Sequence, residues 1–222
     1  MEREISELIE IGRELHSRGW LPASGGNLSA RLEDGLILIT ASGSHKGHLT
    51  REDFVFVDLE GNLVKGSKRP SAETLLHTLV YKLFPSAMCV LHVHSINSTL
   101  ISRLSKGDIR LENYELLKAF EGIKTHQTSL TVPVFENSQD MRSLSEMIRE
   151  RLEKEEKIYG FLLRSHGLYT WGKSIREAYI RLEAFEFLFE CELKMLLKKN
   201  TNLGRVARAG LRPFIAFVVM DE

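Results

Sequence analysis

The segment AMCVLHVHS, residues 87–95, predicts both the centre of the fold and the place of its chemistry. Apart from its two histidines the run is apolar, which is typical of a strand buried inside a sheet. Side chains two apart on a strand point to the same face, so we expect His92 and His94 on one face. Two such imidazoles can hold one metal ion. The H-x-H spacing is short and common, however, and alone it fits ordinary strand-end histidines bonded to backbone equally well.

The rest of the chain predicts strands first and then strands that alternate with helices. Two early hairpins are expected, one turning at Gly35 and one around Gly61-Asn62. Ser71 is a candidate N-cap, and Ser174 with Glu177 forms a candidate capping box for the last long helix. The predicted helices are 2–18, 71–83, 95–104, 139–155 and 174–198, and the later strands are 130–135 and 159–165. This order predicts a single α/β sandwich around a mostly antiparallel or mixed sheet.

Composition limits the class of protein. With 222 residues, 43% of them hydrophobic, the chain can build one core and suits one domain. Its formal net charge is zero and no basic block is present, which argues against a nucleic-acid partner. The apolar runs are too short to cross a membrane, and the charged, amphipathic residues 1–10 do not resemble a signal peptide. Cys89 and Cys191 are expected to be reduced core residues, which fits a cytoplasmic protein.

A third histidine, His166, also ends an apolar strand and precedes Gly167. Three neutral imidazoles would leave a divalent ion its full charge and an open position, the arrangement of catalytic zinc sites. Glu73 and His77 lie four apart on the predicted helix 71–83 and therefore share a face. Glu73 can bind the metal or transfer protons, although a carboxylate at a helix start is also favoured by the helix dipole alone.

Three small-residue loops are candidate anion sites. SGGN at 24–27 separates the first helix from the first strand, SGSHK at 42–46 follows a strand and adds a cation, and Ser71 opens a helix. Exposed backbone N–H groups in such loops bind anions, so together the loops could hold one phosphate, while each alone is commonly just a turn. Neither SGGN nor SGSHK matches a nucleotide-binding pattern.

Five segments in this order resemble the class II aldolase/adducin family: SGGNLSARL (24–32), ITASGSHKG (39–47), RPSAETLLH (69–77), VLHVHS (90–95) and RSHGLYTWG (164–172). The resemblance covers residues 5–198 and implies an α/β/α sandwich and a C4 homotetramer with active sites between subunits. It implies one Zn²⁺ per subunit, bound by His92, His94 and His166. It also implies phosphate contacts from Ser24, Gly26, Asn27, Ser42, Gly43 and Ser71, with Lys46 nearby.

Three further segments are similar to dehydratases of this family: SGSHKGHLTREDF (42–54), YELLKAFEGI (114–123) and PVFENSQDM (133–141). This similarity implies that Glu115 is the catalytic proton-transfer residue, with Glu73 second. The expected reaction is metal-dependent loss of water from a small phosphorylated ketose.

A class II aldolase that releases dihydroxyacetone phosphate and an aldehyde is the main alternative. Family aldolases use a tyrosine near the C-terminus, and no tyrosine follows Tyr179 here. A non-enzymatic binding module, as in adducin heads, is disfavoured because those relatives lack the metal histidines. We expect residues 1–199 to form the family domain and residues 200–222 a C-terminal tail of unknown role.

Overall fold

The protein is built around one large sheet. The computed structural model describes residues 1–155 and 157–210, with side chains up to residue 198. The helices are α1 Glu2–Ser17, α2 Thr74–Leu83, α3 Ile96–Leu104, α4 Met141–Leu152 and α5 Ile175–Gly210. The strands are β1 Asn27–Arg31, β2 Ile37–Thr40, β3 Phe54–Val57, β4 Leu63–Lys65, β5 Cys89–Val93, β6 Ile109–Glu112, β7 Ser129–Val132, β8 Val134–Phe135, β9 Gly160–Leu163 and β10 Gly167–Gly172.

Eight of these strands form the central sheet, in the order β4-β3-β2-β1-β5-β10-β9-β8, and β6 pairs with β7 separately. Every pair in the central sheet is antiparallel except β8 with β9, which is parallel. Helices α1, α3 and α5 pack on one face, and α2 and α4 pack on the other. The fold is thus the single-domain α/β/α sandwich with a mostly antiparallel, mixed sheet that the sequence predicts.

The strand pleat sorts side chains between the two helical layers. On β5, Cys89, Leu91 and Val93 join the core under α1, α3 and α5, whereas Val90 joins the core under α2 and α4. His92 therefore points to the α2 side, since successive side chains on a strand alternate between faces. The same alternation turns Ser29 of β1 towards α2, where its hydroxyl bonds His77. The polar residues of the central strands thus gather on one face.

Several predicted boundaries are wrong, each for a local reason. Ser71 is not the N-cap of α2, because the helix begins at Thr74 with Glu73 as its N-cap. The Ser71 hydroxyl accepts from Asn27 Nδ2 at 3.1 Å and from the Glu73 N–H at 3.3 Å, ahead of the helix. The predicted strand 130–135 is divided at Pro133, which lacks an N–H for the ladder, so β7 and β8 belong to different sheets.

The last helix begins as predicted. Ser174 Oγ accepts from Glu177 N at 3.1 Å, while the Glu177 carboxylate bonds the N–H of Lys173 rather than that of Ser174. The helix runs to Gly210, so the expected boundary between domain and tail falls inside α5. The remaining tail residues, 211–222, lie outside the described residues.

Cys89 is a buried free thiol, and Cys191 is a half-buried one. Among the described helices, none combines the length and the hydropathy that crossing a membrane requires.

Candidate metal centre and phosphate cavity

Three histidines converge at the end of the central strands. His92 lies on β5, His94 follows it, and His166 lies in the turn between β9 and β10. Because β10 pairs with β5 so that Leu168 lies opposite Val93, this turn is brought beside the end of β5. The Nε2 atoms of His92 and His94 are 2.8 Å apart, those of His94 and His166 are 2.9 Å apart, and those of His92 and His166 are 3.3 Å apart. All three side chains present the same nitrogen to one point.

Hydrogen bonds fix which nitrogen carries the proton. His92 Nδ1 lies 3.0 Å from the Leu168 carbonyl oxygen, and His166 Nδ1 lies 3.3 Å from Asn137 Oδ1. Both oxygens only accept, so Nδ1–H donates in each ring and the Nε2 lone pair faces the centre. Desolvation lowers the pKa of all three histidines, that of His94 to about 4, which keeps the rings neutral.

The Nε2 lone pairs of His92 and His166 face each other 3.3 Å apart and repel, and a cation between them removes the repulsion. A site of neutral imidazoles oriented by second hydrogen bonds is the donor set that zinc and similar ions prefer. The residues present therefore fit a divalent metal ion.

Glu73 completes the cluster. It precedes α2, and its carboxylate oxygens lie 3.3 Å from His92 Nε2 and 3.2 Å from His166 Nε2. One ligand atom from each of these four residues lies within 4.8 Å of every other. Glu73 can therefore serve as a fourth donor or as a proton-transfer group beside the ion.

Backbone without side chains lets the SGGN loop reach the histidines. A Cβ at Gly25 would lie 2.6 Å from His94 Nδ1. Gly26 adopts a φ of +72°, and its Cβ would lie 2.6 Å from the His92 carbonyl oxygen. The first position would clash with a site residue, and the second is also a backbone conformation that favours glycine.

A cavity of about 450 Å³ adjoins the cluster. Its lining includes all the residues expected to hold phosphate: Ser24, Gly26, Asn27, Ser42, Gly43, Lys46 and Ser71. Glu73, His94 and His166 line the same space. The cavity thus joins the loops with anion-binding character to the candidate metal centre.

Lys46 is the buried cation of this cavity, only 2% exposed. Its Nζ donates to the Ser24 carbonyl oxygen at 2.7 Å, which ties the second loop to the first. Burial lowers the pKa of Lys46 to about 8, although the charges of Glu73 and Asp53 oppose the shift. A bound anion would find here a cation already stripped of water.

Comparison with known proteins agrees with a metal-binding site. The profile of the Class II Aldolase and Adducin N-terminal domain matches residues 6–193. The chain belongs to the class II aldolase and adducin family. This family is metal-dependent, and the cluster of Glu73 and three histidines is able to bind a metal ion.

Similar family members include two curated dehydratases and one solved aldolase. Methylthioribulose-1-phosphate dehydratase of Pseudomonas paraeruginosa is 49% identical over 196 residues, covering 88% of this chain and 96% of the relative. That of Methylococcus capsulatus is 52% identical over 194 residues, covering 87% and 95%. The structure of L-fuculose-1-phosphate aldolase from Thermus thermophilus superposes with a TM-score of 0.71 at 26% identity, covering 90% of this chain and 97% of the aldolase.

Within a single chain, Glu115 does not belong to the cluster of Glu73 and the three histidines. It begins a short 3-10 helix, Glu115–Ala119, and its side chain is 71% exposed. The hydrogen bond from Lys118 lowers the pKa of Glu115, and His126 Nδ1 lies 3.6 Å away. Glu115 belongs neither to the cluster nor to the cavity lining of its own chain, and its catalytic role stays a prediction.

Two residues of the site were missed in the sequence. Tyr169 stacks on the His92 ring with centroids 3.8 Å apart, and burial raises the pKa of its phenol. Asn137 orients His166. The aromatic and β-branched residues of GLYTWG are typical of a strand, but no local pattern shows that Tyr169 lies opposite His92.

Replacing His94 by alanine should abolish metal binding. One of three nitrogen donors is lost, so we expect metal affinity to fall by at least about 100-fold. Metal content after dialysis against trace zinc, measured by mass spectrometry, tests this. His126→Ala, which removes an exposed histidine outside the cluster, should keep its metal. A His94→Ala protein with a full equivalent of zinc would refute the assignment.

Lys46 should give phosphate binding a pH dependence. A phosphate monoester is dianionic above about pH 7.5, so a further loss of affinity towards pH 9.5 reports Lys46 losing its proton. Calorimetric titration with glycerol 3-phosphate should show this loss in the wild type. Lys46→Met should bind about tenfold more weakly at pH 7.5 and lack the pH dependence. Lys82→Met, a surface control, should match the wild type. Equal pH dependence in the wild type and Lys46→Met would contradict the assignment.

Proposed function

We propose that this protein is a methylthioribulose-1-phosphate dehydratase, a hydro-lyase of methionine salvage. It would convert 5-methylthioribulose 1-phosphate to 2,3-diketo-5-methylthiopentyl 1-phosphate and water. The observation that carries the proposal is the 49% and 52% identity to two dehydratases of this name over nearly their whole length. The joined phosphate cavity and metal cluster supply the site that such a substrate needs.

The layout of the cavity suits a ketose 1-phosphate. In this substrate the phosphate on C1 is next to the C2 ketone, so anion donors and the reacting centre must share one small space. Lys46, Ser42 and Ser71 line the cavity together with Glu73 and His94. We propose that Ser24, Gly26, Asn27, Ser42, Gly43, Lys46 and Ser71 hold the phosphate.

Dehydration requires a proton to leave C3 and a hydroxyl to leave C4. The ketone acidifies the C3 proton, and a carboxylate can take it while a proton is given to the departing hydroxyl. The resulting enol tautomerises to the diketone. A zinc ion bound by His92, His94 and His166 would supply positive charge that stabilises negative charge on the substrate oxygens. Glu115 is the proposed proton-transfer residue, and Glu73, whose carboxylate faces the cluster, is the second.

We propose a homotetramer with active sites between subunits, because Glu115 is exposed and is not among the residues that line the cavity of its own chain. The surface beside it supports burial by a neighbour. Leu116, Ile180 and Phe187 are 38%, 41% and 54% exposed and line a common depression. A cytoplasmic location is proposed as well, supported by the two free thiols.

Aldol cleavage of a sugar 1-phosphate is the second candidate, favoured by the fold and the 26% identity shared with the L-fuculose-1-phosphate aldolase. Both reactions begin with the same phosphate and metal groups, and they differ in whether C4–O or C3–C4 breaks. The products therefore decide between them.

Proton NMR of the zinc-loaded enzyme with methylthioribulose 1-phosphate tests the proposal. We expect substrate signals to be replaced by those of the diketone, with no dihydroxyacetone phosphate. His94→Ala in parallel controls for uncatalysed loss of water. Appearance of dihydroxyacetone phosphate and an aldehyde would replace the dehydratase with an aldolase.

Glu115→Gln should lower kcat by about 10²–10⁴-fold and leave zinc and phosphate affinity unchanged, because its proposed role is proton transfer and it is neither a proposed metal ligand nor a proposed phosphate contact. Mixing Glu115→Gln subunits with His94→Ala subunits should restore about a quarter of the sites in a random C4 tetramer, since each then takes its metal and its carboxylate from different chains. Mixing Glu115→Gln subunits with subunits that carry both Glu115→Gln and His94→Ala should restore no active sites. Absence of recovery in mixtures shown to exchange subunits would place Glu115 outside a shared site.

A further inference from the structure

A row of four buried polar side chains runs beneath Glu73. Tyr81 OH lies 2.8 Å from Ser29 Oγ, Ser29 Oγ lies 2.7 Å from His77 Nδ1, and His77 Nε2 bonds Asn27 Oδ1. Asn27 Nδ2 donates to Glu73 Oε2 at 2.6 Å. Each of the four is 0–4% exposed. Tyr81, Ser29 and His77 have no other part in the proposed reaction.

The end of this row fixes the direction of every bond in it. A carboxylate accepts hydrogen bonds and donates none, so the Asn27 amide must turn its NH₂ group to Glu73 and its carbonyl to His77. His77 must then donate from Nε2 and accept at Nδ1. The Ser29 hydroxyl donates to that nitrogen, and Tyr81 donates to Ser29. One neutral tautomer of His77 satisfies the whole row.

Neutral His77 is also what its surroundings impose. The ring is fully buried, and this burial lowers the pKa of His77 to about 3. A protonated ring would donate from both nitrogens, and Ser29 could no longer give its proton to Nδ1. The row is therefore a fixed donor chain that points to the metal centre.

Asn27 is the junction between this row and the reactive groups. The same NH₂ group that bonds Glu73 also donates to Ser71 Oγ at 3.1 Å. Asn27 therefore links the carboxylate at the cluster to the phosphate side of the cavity. If its amide turned over, its carbonyl would face the Glu73 carboxylate and its NH₂ group would face the N–H of His77, so both of these contacts would become repulsive. The N–H of His77 holds the carbonyl end of this amide, and the Glu73 carboxylate accepts from the other end.

We propose that His77 is a positioning residue, which holds the Asn27 amide in one orientation and thereby fixes the Glu73 carboxylate between the metal centre and the phosphate cradle. His77 itself touches neither substrate nor metal. The turnover effect rests on the proposed function, whereas the ring tautomer and the geometry of Glu73 do not.

Paired substitutions separate positioning from simple packing. His77→Leu removes the donor and keeps an apolar side chain of moderate size, so kcat should fall by about 10–100-fold with little change in KM. His77→Gln places an amide N–H near the former Nε2 and should recover most of that loss. Thr170→Val is the matched control, because it removes another hydrogen bond of a fully buried side chain, from Thr170 Oγ1 to the Tyr159 carbonyl at 2.7 Å, outside the metal cluster and the cavity lining. It should lose thermal stability and keep kcat.

Two results would overturn the proposal: His77→Gln no more active than His77→Leu, or Thr170→Val losing kcat as severely as His77→Leu. Nitrogen and carbon NMR of the wild-type imidazole supplies a readout without turnover. We expect the Nε2–H tautomer from pH 6 to 9, and an Nδ1–H or protonated ring would contradict the row of bonds. If the wild type lacks dehydratase activity, the proposed function fails. The tautomer of His77 and the zinc affinity of the same variants still decide whether His77 positions Glu73.

Discussion

The register between β5 and its two neighbours is the constraint on which the site depends. Asn27 of β1 and Tyr169 of β10 both lie opposite His92, one on each side. A slip of one residue in either pairing would turn a whole strand over, because side chains alternate between faces. The amide that bonds Glu73 and the ring that stacks on His92 would then point into the layer of α1, α3 and α5. Antiparallel pairing thus fixes the metal centre before any ligand arrives.

The site buries or half-buries polar groups, three imidazoles and one ammonium, that a protein core usually excludes. The neutral imidazoles of His92 and His166 aim lone pairs at one another, and Lys46 is buried with a lowered pKa. Both arrangements are unfavourable alone, and both become favourable when a cation and an anion enter the two halves of the cavity. Phe161, Tyr169 and His92 form a stack of aromatic rings, which holds the His92 ring in place. The protein therefore carries the cost of organisation at folding, which leaves little rearrangement for the reaction.

The sequence predicted what depends on strand alternation and on loop composition. The shared face of His92 and His94 follows from a period of two, and the small residues of SGGN and SGSHK indicate two loops, which the structure brings to one cavity. Residues joined across the chain were beyond such reasoning: Asn27 and His77 are 50 positions apart, and no local pattern couples an amide to an imidazole. Ser71 was wrongly predicted as a helix cap because a serine before a helix has the same appearance whether it caps the helix or faces a cavity. The role of Glu115 differs from that of Ser71, because its expected role involves a second chain and one chain cannot test it.

The proposed division of the site between chains bears on how one fold serves two lyase reactions. The phosphate loops, the histidines and Glu73 all come from a single chain, and dehydration and aldol cleavage can use them equally. What distinguishes the reactions is the proton donor at the C4 hydroxyl, which decides whether C4–O breaks. If that donor is Glu115 of a neighbour, the shared frame stays rigid while the deciding group sits on a surface segment, Glu115–Ala119. Such a segment can change in sequence without disturbing the sheet, because loops carry function at lower cost to stability than core strands do. Reaction specificity would then be a property of the interface and not of the metal centre.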